Sequence, residues 1–335
     1  MPRPKSIFAH LGAAQREVFL PPDIEGEMKT LTDDYDWQEL PVGSAEAFAE
    51  ELMKRDPEIL VGGWATPRLP DQLPPSLRYV LYVSGSVKNI VSRKHLEEGL
   101  VITNWGNSIS RIVAEAALMH ILNCLRTTNH WSLHMHVTKG WNENPPLAWS
   151  LYDRPVGIYG FGFIARFLSK LLHPFNAPVT TYAPGVPDDV LAEHGVKRAD
   201  NLETLFEQNP VVVNLAPLTA ETTDTIKREH LMALPEGEGV LVSVGRGPVI
   251  NEADLIEVAK SGRIQMALDV FHEEPLPADS PLRGLPNVML TPHRAGPTQD
   301  RMRDAGEFAL NNLRRYVNDE ALLAVVTPEI YDAST

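Results

Sequence analysis

The stretch Val156-Gly157-Ile158-Tyr159-Gly160-Phe161-Gly162-Phe163-Ile164-Ala165 constrains this chain more than any other. An apolar, β-branched run leads into Gly-x-Gly-x-x-Ala, and Arg166-Phe-Leu-Ser-Lys-Leu-Leu172 follows at helical spacing. Strand, tight turn and helix in that order are what a dinucleotide pyrophosphate requires. Gly160 permits the turn, Gly162 lets the backbone approach the phosphates, and Ala165 is small enough for the helix to close on the strand. The helix N-terminus then offers unpaired N–H groups to the anion. A bare glycine pattern is weak, and the competing reading is a glycine-rich strand exit in an ordinary α/β domain. The strand before it and the helix after it favour the phosphate loop.

From residue 155 onward the chain alternates. Strands are expected near 156–160, 178–182, 211–216, 239–244, 265–270 and 287–291, with helices near 163–172, 188–194, 202–207, 226–233 and 251–260. That spacing predicts a doubly wound parallel sheet. Residues 1–100 read as irregular and proline-rich. Within them Ile59–Val61 and Tyr79–Val83 are expected as buried parallel strands, with helices at 44–55 and 92–98, and Val101–Thr103 as a further strand. A long helix begins at Ser108, its apolar face formed by Ile112, Val113, Ala116, Met119, Leu122 and Leu125. Residues 130–152 form a connector carrying Trp131, Trp141 and Trp149 around Pro145-Pro146, and the tail opens with a helix from Met302 to Val317.

At 335 residues the chain has room for two cores. A net charge of −14 argues against nucleic acid and anionic membranes as partners. It also means that an anionic substrate must be captured by local arginine or backbone N–H groups. The single cysteine, Cys124, lies in an apolar segment and has no internal disulfide partner. No stretch is long and apolar enough to cross a bilayer, and no apolar region follows the basic Met1–Ser6, so the cytoplasm is the default compartment. His134-x-His136 and His272-Glu273-Glu274 contain metal-ligand types. Positions two apart on a helix do not share a face, however, and no third ligand is suggested by spacing, so no metal is expected.

Ligands of such sheets bind beyond the carboxyl ends of the strands. Arg246 follows Val240–Val244 between Gly245 and Gly247, Glu274 follows the run Ala267–Phe271, and His293 follows Val288–Pro292. A cation, a carboxylate and an imidazole are thus expected on one sheet edge beside a nicotinamide-type site. Hydride transfer to a 2-oxo acid needs this set. A guanidinium holds the carboxylate and polarises the carbonyl. A histidine gives the proton to the developing alkoxide, and a carboxylate bonded to that imidazole stabilises the imidazolium.

With these residues in view, the chain resembles the D-isomer-specific 2-hydroxyacid dehydrogenases. The carrying segments are Val156–Ala165, Val213–Thr219 with Glu221-Thr222, Val242–Pro248, Ala267–Pro275 and Thr291–Gly296, and the likeness spans roughly residues 75–320. It implies two doubly wound parallel-sheet α/β domains, Rossmann- and flavodoxin-like, with a cleft between them. Residues 1–103 plus 300–335 would bind substrate, and 104–299 the dinucleotide, with 108–152 as interdomain helix and homodimer connector. The hinge falls in Asn104–Glu115. The resemblance implies Arg246, Glu274 and His293 as catalytic residues, with Gly85 and Ser86 of the loop Tyr82–Asn89 holding the substrate carboxylate beside Arg246. It implies a cofactor site of Gly160, Gly162, Phe163, Ile164, Ala183, Ala216, Pro217, Thr222, Val244, Gly245, Asp269, His293 and Gly296, with Asp269 near the nicotinamide amide.

Two departures stand out. The carboxylate loop reads Ser84-Gly85-Ser86-Val87-Lys88-Asn89, where relatives usually have a glycine-rich turn followed by aspartate. Lys88 either favours a more anionic substrate or points to solvent. Second, Ala183 stands where an acid normally binds the ribose of NAD, and no arginine in 180–187 replaces it to hold the 2′-phosphate of NADP. The cofactor is therefore NAD or NADP, with the preference open. The leading function is hydride transfer between a nicotinamide dinucleotide and a small 2-oxo or D-2-hydroxy acid. The alternative is a corepressor-like, dinucleotide-sensing interaction protein of the same fold with little turnover. A formate dehydrogenase is disfavoured because relatives of that activity carry glutamine where Glu274 stands. Trp64, Trp105 and Trp141 are candidates for lining the substrate's variable group.

Overall fold

The structure, a computed structural model, describes residues 6–38, 45–143 and 145–333. The first residues of the chain and position 44 of the expected 44–55 helix lie outside the described residues. The chain divides into two compact units, residues 1–109 with 297–335, and residues 110–296.

The first unit holds a five-stranded sheet of β1 (Ile7–His10), β2 (Tyr35–Trp37), β3 (Ile59–Gly62), β4 (Tyr79–Tyr82) and β5 (Val101–Thr103). Its order is β2-β1-β3-β4-β5 and every pairing is parallel. That is the flavodoxin-like order. Burial on both faces explains why Ile59-Leu-Val and Tyr79-Val-Leu-Tyr read as continuous apolar runs. The helix Met302–Val317 returns to this unit and packs on the helices Ala13–Phe19 and Pro22–Thr30, with Tyr316 stacked on Tyr79 at 5.2 Å.

Residues 6–38, expected as irregular, are regular instead. Ile7–His10 is a fully buried strand only four residues long, and Tyr35–Trp37 carries an aspartate at its centre. Pro22 occupies the first turn of the helix Pro22–Thr30, followed by Asp23 and Glu25. Proline there starts a helix rather than breaking one, because its missing N–H has no intrahelical partner to lose.

The second unit holds a seven-stranded parallel sheet of β6 (Val156–Tyr159), β7 (Val179–Tyr182), β8 (Lys197–Arg198), β9 (Val211–Asn214), β10 (Val240–Ser243), β11 (Gln265–Leu268) and β12 (Val288–Leu290). The order is β12-β11-β10-β9-β6-β7-β8, a Rossmann arrangement that reverses between β6 and β9. The doubly wound expectation holds for both sheets. Within the second sheet only β8 escaped the sequence reading, being two exposed charged residues with no apolar signal.

The long helix runs from Ser110 to Leu125 and packs on the helix Phe163–Leu172 and on β10 and β11. Its buried side is formed by Val113, Ala114, Ala117, His120, Ile121 and Cys124 as well as Ile112 and Leu125. The expected face was partly out of phase, since Ala116 and Leu122 are half-buried and Met119 is exposed. After Thr127 the chain stays helical through Leu133 and continues as a π-helical turn, His134–Thr138. Among the described residues no helix is long and apolar enough to cross a membrane, and no group of three or more metal-ligand side chains is assembled.

Candidate active site

The exit of β6 is shaped for a phosphate. Gly160 has φ +86°, and a Cβ there would lie 2.9 Å from the Cα of Ala216 at the exit of β9. Gly162 caps the helix Phe163–Leu172 with no side-chain hydrogen bond. Its φ is −81°, and a Cβ at Gly162 would meet nothing within 4 Å. Protein packing therefore does not require glycine at 162. The space left before an uncapped helix N-terminus does, if a pyrophosphate is to approach the backbone. Ala165 is fully buried against the sheet, whereas Phe163 and Ile164 stay at least partly open. On these observations the loop fits a dinucleotide.

The other residues expected to hold it line the carboxyl ends of neighbouring strands. Ala216 donates its N–H to Asn214 Oδ1, and Asn214 in turn donates to Ser243 Oγ, tying the exits of β9 and β10 together. Thr222 donates to the carbonyl of Pro217 at 2.6 Å, closing the loop after β9. Val244 is buried, and Gly245 lies against the Ala216 carbonyl. Gly296 has open space on its Cβ side.

At the exit of β7 the structure adds a residue that lies outside the stretch 180–187. Ala183 is buried where the acid is missing, yet an arginine does reach this point, from β8. Arg198 donates to the carbonyls of Ala183 at 2.9 Å and Val186 at 2.5 Å, and pairs with Asp188 at 2.6 Å. A depression of about 430 Å³ lies here, between Tyr182, Pro184, Val186, Asp188, Arg198 and Asp200. Fifteen residues separate Arg198 from Ala183, and only the pairing of β7 with β8 brings them together.

Arg246, Glu274 and His293 follow β10, β11 and β12, which are adjacent in the sheet. His293 Nδ1 donates to Glu274 Oε2 at 2.7 Å, and Glu274 Oε1 accepts from the N–H of Phe271 at 3.0 Å. The carboxylate is thereby anchored to the β11 exit while it orients the imidazole. Arg246 donates to the Gly245 carbonyl at 2.8 Å. Burial pulls its pKa below the ordinary arginine value, and the nearby Glu274 carboxylate pulls it back up.

Asp269 is also the centre of a hydrogen-bond clamp that the sequence did not reveal. Its buried carboxylate accepts from Thr291 Oγ1 at 2.5 Å, Arg294 N–H at 2.7 Å and Ala295 N–H at 2.8 Å. Its carbonyl accepts from the N–H of His293, whose φ is +52°. A histidine in the left-handed region costs backbone strain, and these four bonds hold it there. Behind them His120 Nε2 lies 3.5 Å from Thr291 Oγ1, and burial holds that imidazole's pKa below its ordinary value. Thr291 lies inside a quoted motif, but His120 had no signal beyond being a lone polar residue in an apolar helix.

In the first unit the loop after β4 carries Gly85 and Ser86. Asn104 Nδ2 donates to the Gly85 carbonyl at 2.9 Å, and the N–H of Trp105 donates to that of Ser84 at 3.1 Å. Among the described residues no acceptor takes the N–H of Gly85 or Ser86. Lys88 is half-buried, and its Nζ lies 5.6 Å from the centre of the Tyr331 ring rather than extending freely into solvent.

Comparison with known proteins agrees with this geometry. Residues 118–295 match the family model described as "D-isomer specific 2-hydroxyacid dehydrogenase, NAD binding domain". A D-3-phosphoglycerate dehydrogenase of Methanocaldococcus jannaschii is 29% identical over 83% of this chain and 53% of its own. A glyoxylate/hydroxypyruvate reductase B of Serratia proteamaculans is 37% identical over 49% of this chain and 50% of its own. The chain thus spans about half the length of these two relatives. A glyoxylate reductase structure from Paecilomyes thermophila superposes with a TM-score of 0.81 at 22% identity, covering 97% of this chain and 99% of that one. The chain belongs to the D-isomer specific 2-hydroxyacid dehydrogenase family.

Proposed function

We propose that this protein is an oxidoreductase that interconverts a small 2-oxo acid and its D-2-hydroxy acid, using NAD or NADP. The observation that carries this reading is the 2.7 Å bond between His293 Nδ1 and Glu274 Oε2, on the sheet edge that also carries the phosphate loop. Gly160, Gly162, Phe163 and Ile164 would hold the pyrophosphate. Ala183, Ala216, Pro217, Thr222, Val244, Gly245, Asp269, His293 and Gly296 would line the rest of the dinucleotide. The reduced nicotinamide supplies a hydride when bound.

The protein's own part is to bind, orient and move a proton. Arg246 takes the substrate carboxylate in a planar fork and polarises the C2 carbonyl. With Nδ1 committed to Glu274, the protonated imidazole of His293 gives its Nε2 proton to the developing alkoxide, and Glu274 stabilises the cation beforehand. In the reverse direction the same nitrogen accepts the proton. In the first unit the N–H groups of Gly85 and Ser86 have the chemistry to bind a carboxylate.

We further propose a homodimer built on the second unit and a cytoplasmic location. Met119 is 44% and Trp141 72% exposed, and Leu147 is a further exposed apolar side chain of this unit. Light scattering should return twice the chain mass of 37.2 kDa, and a monomer would end the dimer proposal.

The deciding experiment follows loss of reduced-nicotinamide absorbance with NADH and NADPH against a panel of 2-oxo acids, for wild type and His293→Ala. Turnover that the substitution abolishes supports the dehydrogenase. Tight dinucleotide binding with no turnover on any member favours the sensing protein instead.

A further inference from the structure

The carboxyl edge of the first sheet carries an aromatic array that the reaction described so far does not use. Trp64 follows β3, Gly85 follows β4 and Trp105 follows β5, so three adjacent strands deliver them to one edge. Trp64 lies edge-to-face between Phe19, at 5.2 Å and 69°, and Trp105, at 6.0 Å and 86°. The Trp105 indole rests on the backbone of Gly85, where a Cβ would come within 2.8 Å of the ring. The array is therefore continuous with the loop whose Gly85 and Ser86 N–H groups have no acceptor among the described residues.

Trp64 is 49% exposed despite its two aromatic neighbours. A ring that only filled a core would be covered. An indole held rigid at a sheet edge, next to unpaired amides, is a surface for an apolar group attached to an anion. A carboxylate on the Gly85–Ser86 amides would place its substituent beside Trp105 and Trp64. Lys88, the one cation of the loop Tyr82–Asn89, lies with its Nζ 5.6 Å from the centre of the Tyr331 ring.

We infer that Trp64 and Trp105, with the fully buried Phe19 bracing Trp64 from behind, form the subsite for the substrate's side chain, and that the preferred substrates are monocarboxylic 2-oxo acids with a bulky apolar or aromatic substituent. This rests on the 2-oxo acid reductase reading above. The array favours such substrates over glyoxylate, which has no substituent to place on it, and over dicarboxylic acids, whose second charge it leaves unpaired.

The test compares phenylpyruvate, 4-methyl-2-oxopentanoate, glyoxylate and 2-oxoglutarate in wild type, Trp64→Ala and Trp64→Phe. Calorimetric binding of the same acids to enzyme loaded with oxidised dinucleotide, where they cannot react, gives a second readout. For wild type we expect kcat/KM for the first two acids to exceed that for glyoxylate by about tenfold or more. Trp64→Ala should cut the apolar acids about tenfold and leave glyoxylate within about threefold, with Trp64→Phe recovering most of the loss. Turnover that favours glyoxylate or 2-oxoglutarate, or an equal effect of Trp64→Ala on all four, overturns the subsite and leaves the reductase standing. Calorimetric binding of the apolar acids without turnover of any acid does the reverse. Neither binding nor turnover ends both.

Discussion

Glu274 reaches His293 with one carboxylate oxygen while its other oxygen is held by the N–H of Phe271. Both bonds require an acceptor. A glutamine supplies one carbonyl and one amide, so Glu274→Gln must lose one bond or turn the imidazole's Nδ1 into an acceptor. We expect kcat to fall about a hundredfold, with little change in dinucleotide affinity. Stopped-flow turnover alongside a dinucleotide titration separates the two, and an unchanged kcat would remove Glu274 from the mechanism.

Thr291 holds the catalytic loop through Asp269. Thr291→Val keeps the shape, removes the hydroxyl, and leaves one carboxylate oxygen of a buried aspartate short of a donor. The expected loss is about 1–3 kcal/mol of stability, together with a lower kcat because His293 is less firmly held. Denaturant unfolding and turnover should move together. A fall in stability with full activity would show that the clamp does not position the histidine.

The two glycines of the phosphate loop should fail differently. Gly160→Ala pushes a Cβ against Ala216 at a positive φ and should lower the melting temperature. Gly162→Ala fits an ordinary φ with open space around the new methyl group, so the fold should keep its stability. That methyl group instead occupies the approach to the helix N-terminus, and dinucleotide affinity should drop about tenfold or more. Equal dinucleotide affinity in Gly162→Ala and wild type would move the phosphate elsewhere.

His10 ties stability to acid. It is 4% exposed, neither ring nitrogen has a partner, and burial lowers its pKa from 6.5 to about 4. An unfolded chain takes up the proton near pH 6.5 and the folded chain resists it until about pH 4. The stability present above the unfolded value is therefore lost as pH falls through that window, by about 3 kcal/mol at most. His10→Leu, beside Phe8 and Phe48, should flatten the loss, and denaturation midpoints at pH 7 and pH 4.5 measure it.

Cys124 should be silent toward thiol reagents. Burial in the long helix raises its pKa to about 12, so almost no thiolate exists at pH 8. A disulfide reagent should leave the native protein unmodified and react once per chain in denaturant. Rapid labelling of the native protein would show that this helix opens.

The sequence by itself determined the features that a strong local pattern marks. A strand, two glycines and a helix stood side by side in 156–172, so the phosphate loop was legible without tertiary information. Most of the parallel strands were legible too, because burial on both faces leaves unbroken apolar runs such as Val211-Val-Val and Val240-Leu-Val. Arg246, Glu274 and His293 could be named because each follows such a run.

Tertiary structure alone decided which side chains meet across distance. Arg198 reaches Ala183 only because β8 pairs with β7, and the two exposed charged residues of that strand leave no apolar mark. The clamp of Asp269 on Thr291, Arg294 and Ala295 depends on the neighbouring exits of β11 and β12, and His120 joins it from a helix packed against β11. Lys88 turned to Tyr331, a residue more than two hundred positions later. Local propensity acts over a few residues, whereas a hydrogen bond or ring contact is set by which strands and helices lie side by side, and that is decided by the packing of the whole unit.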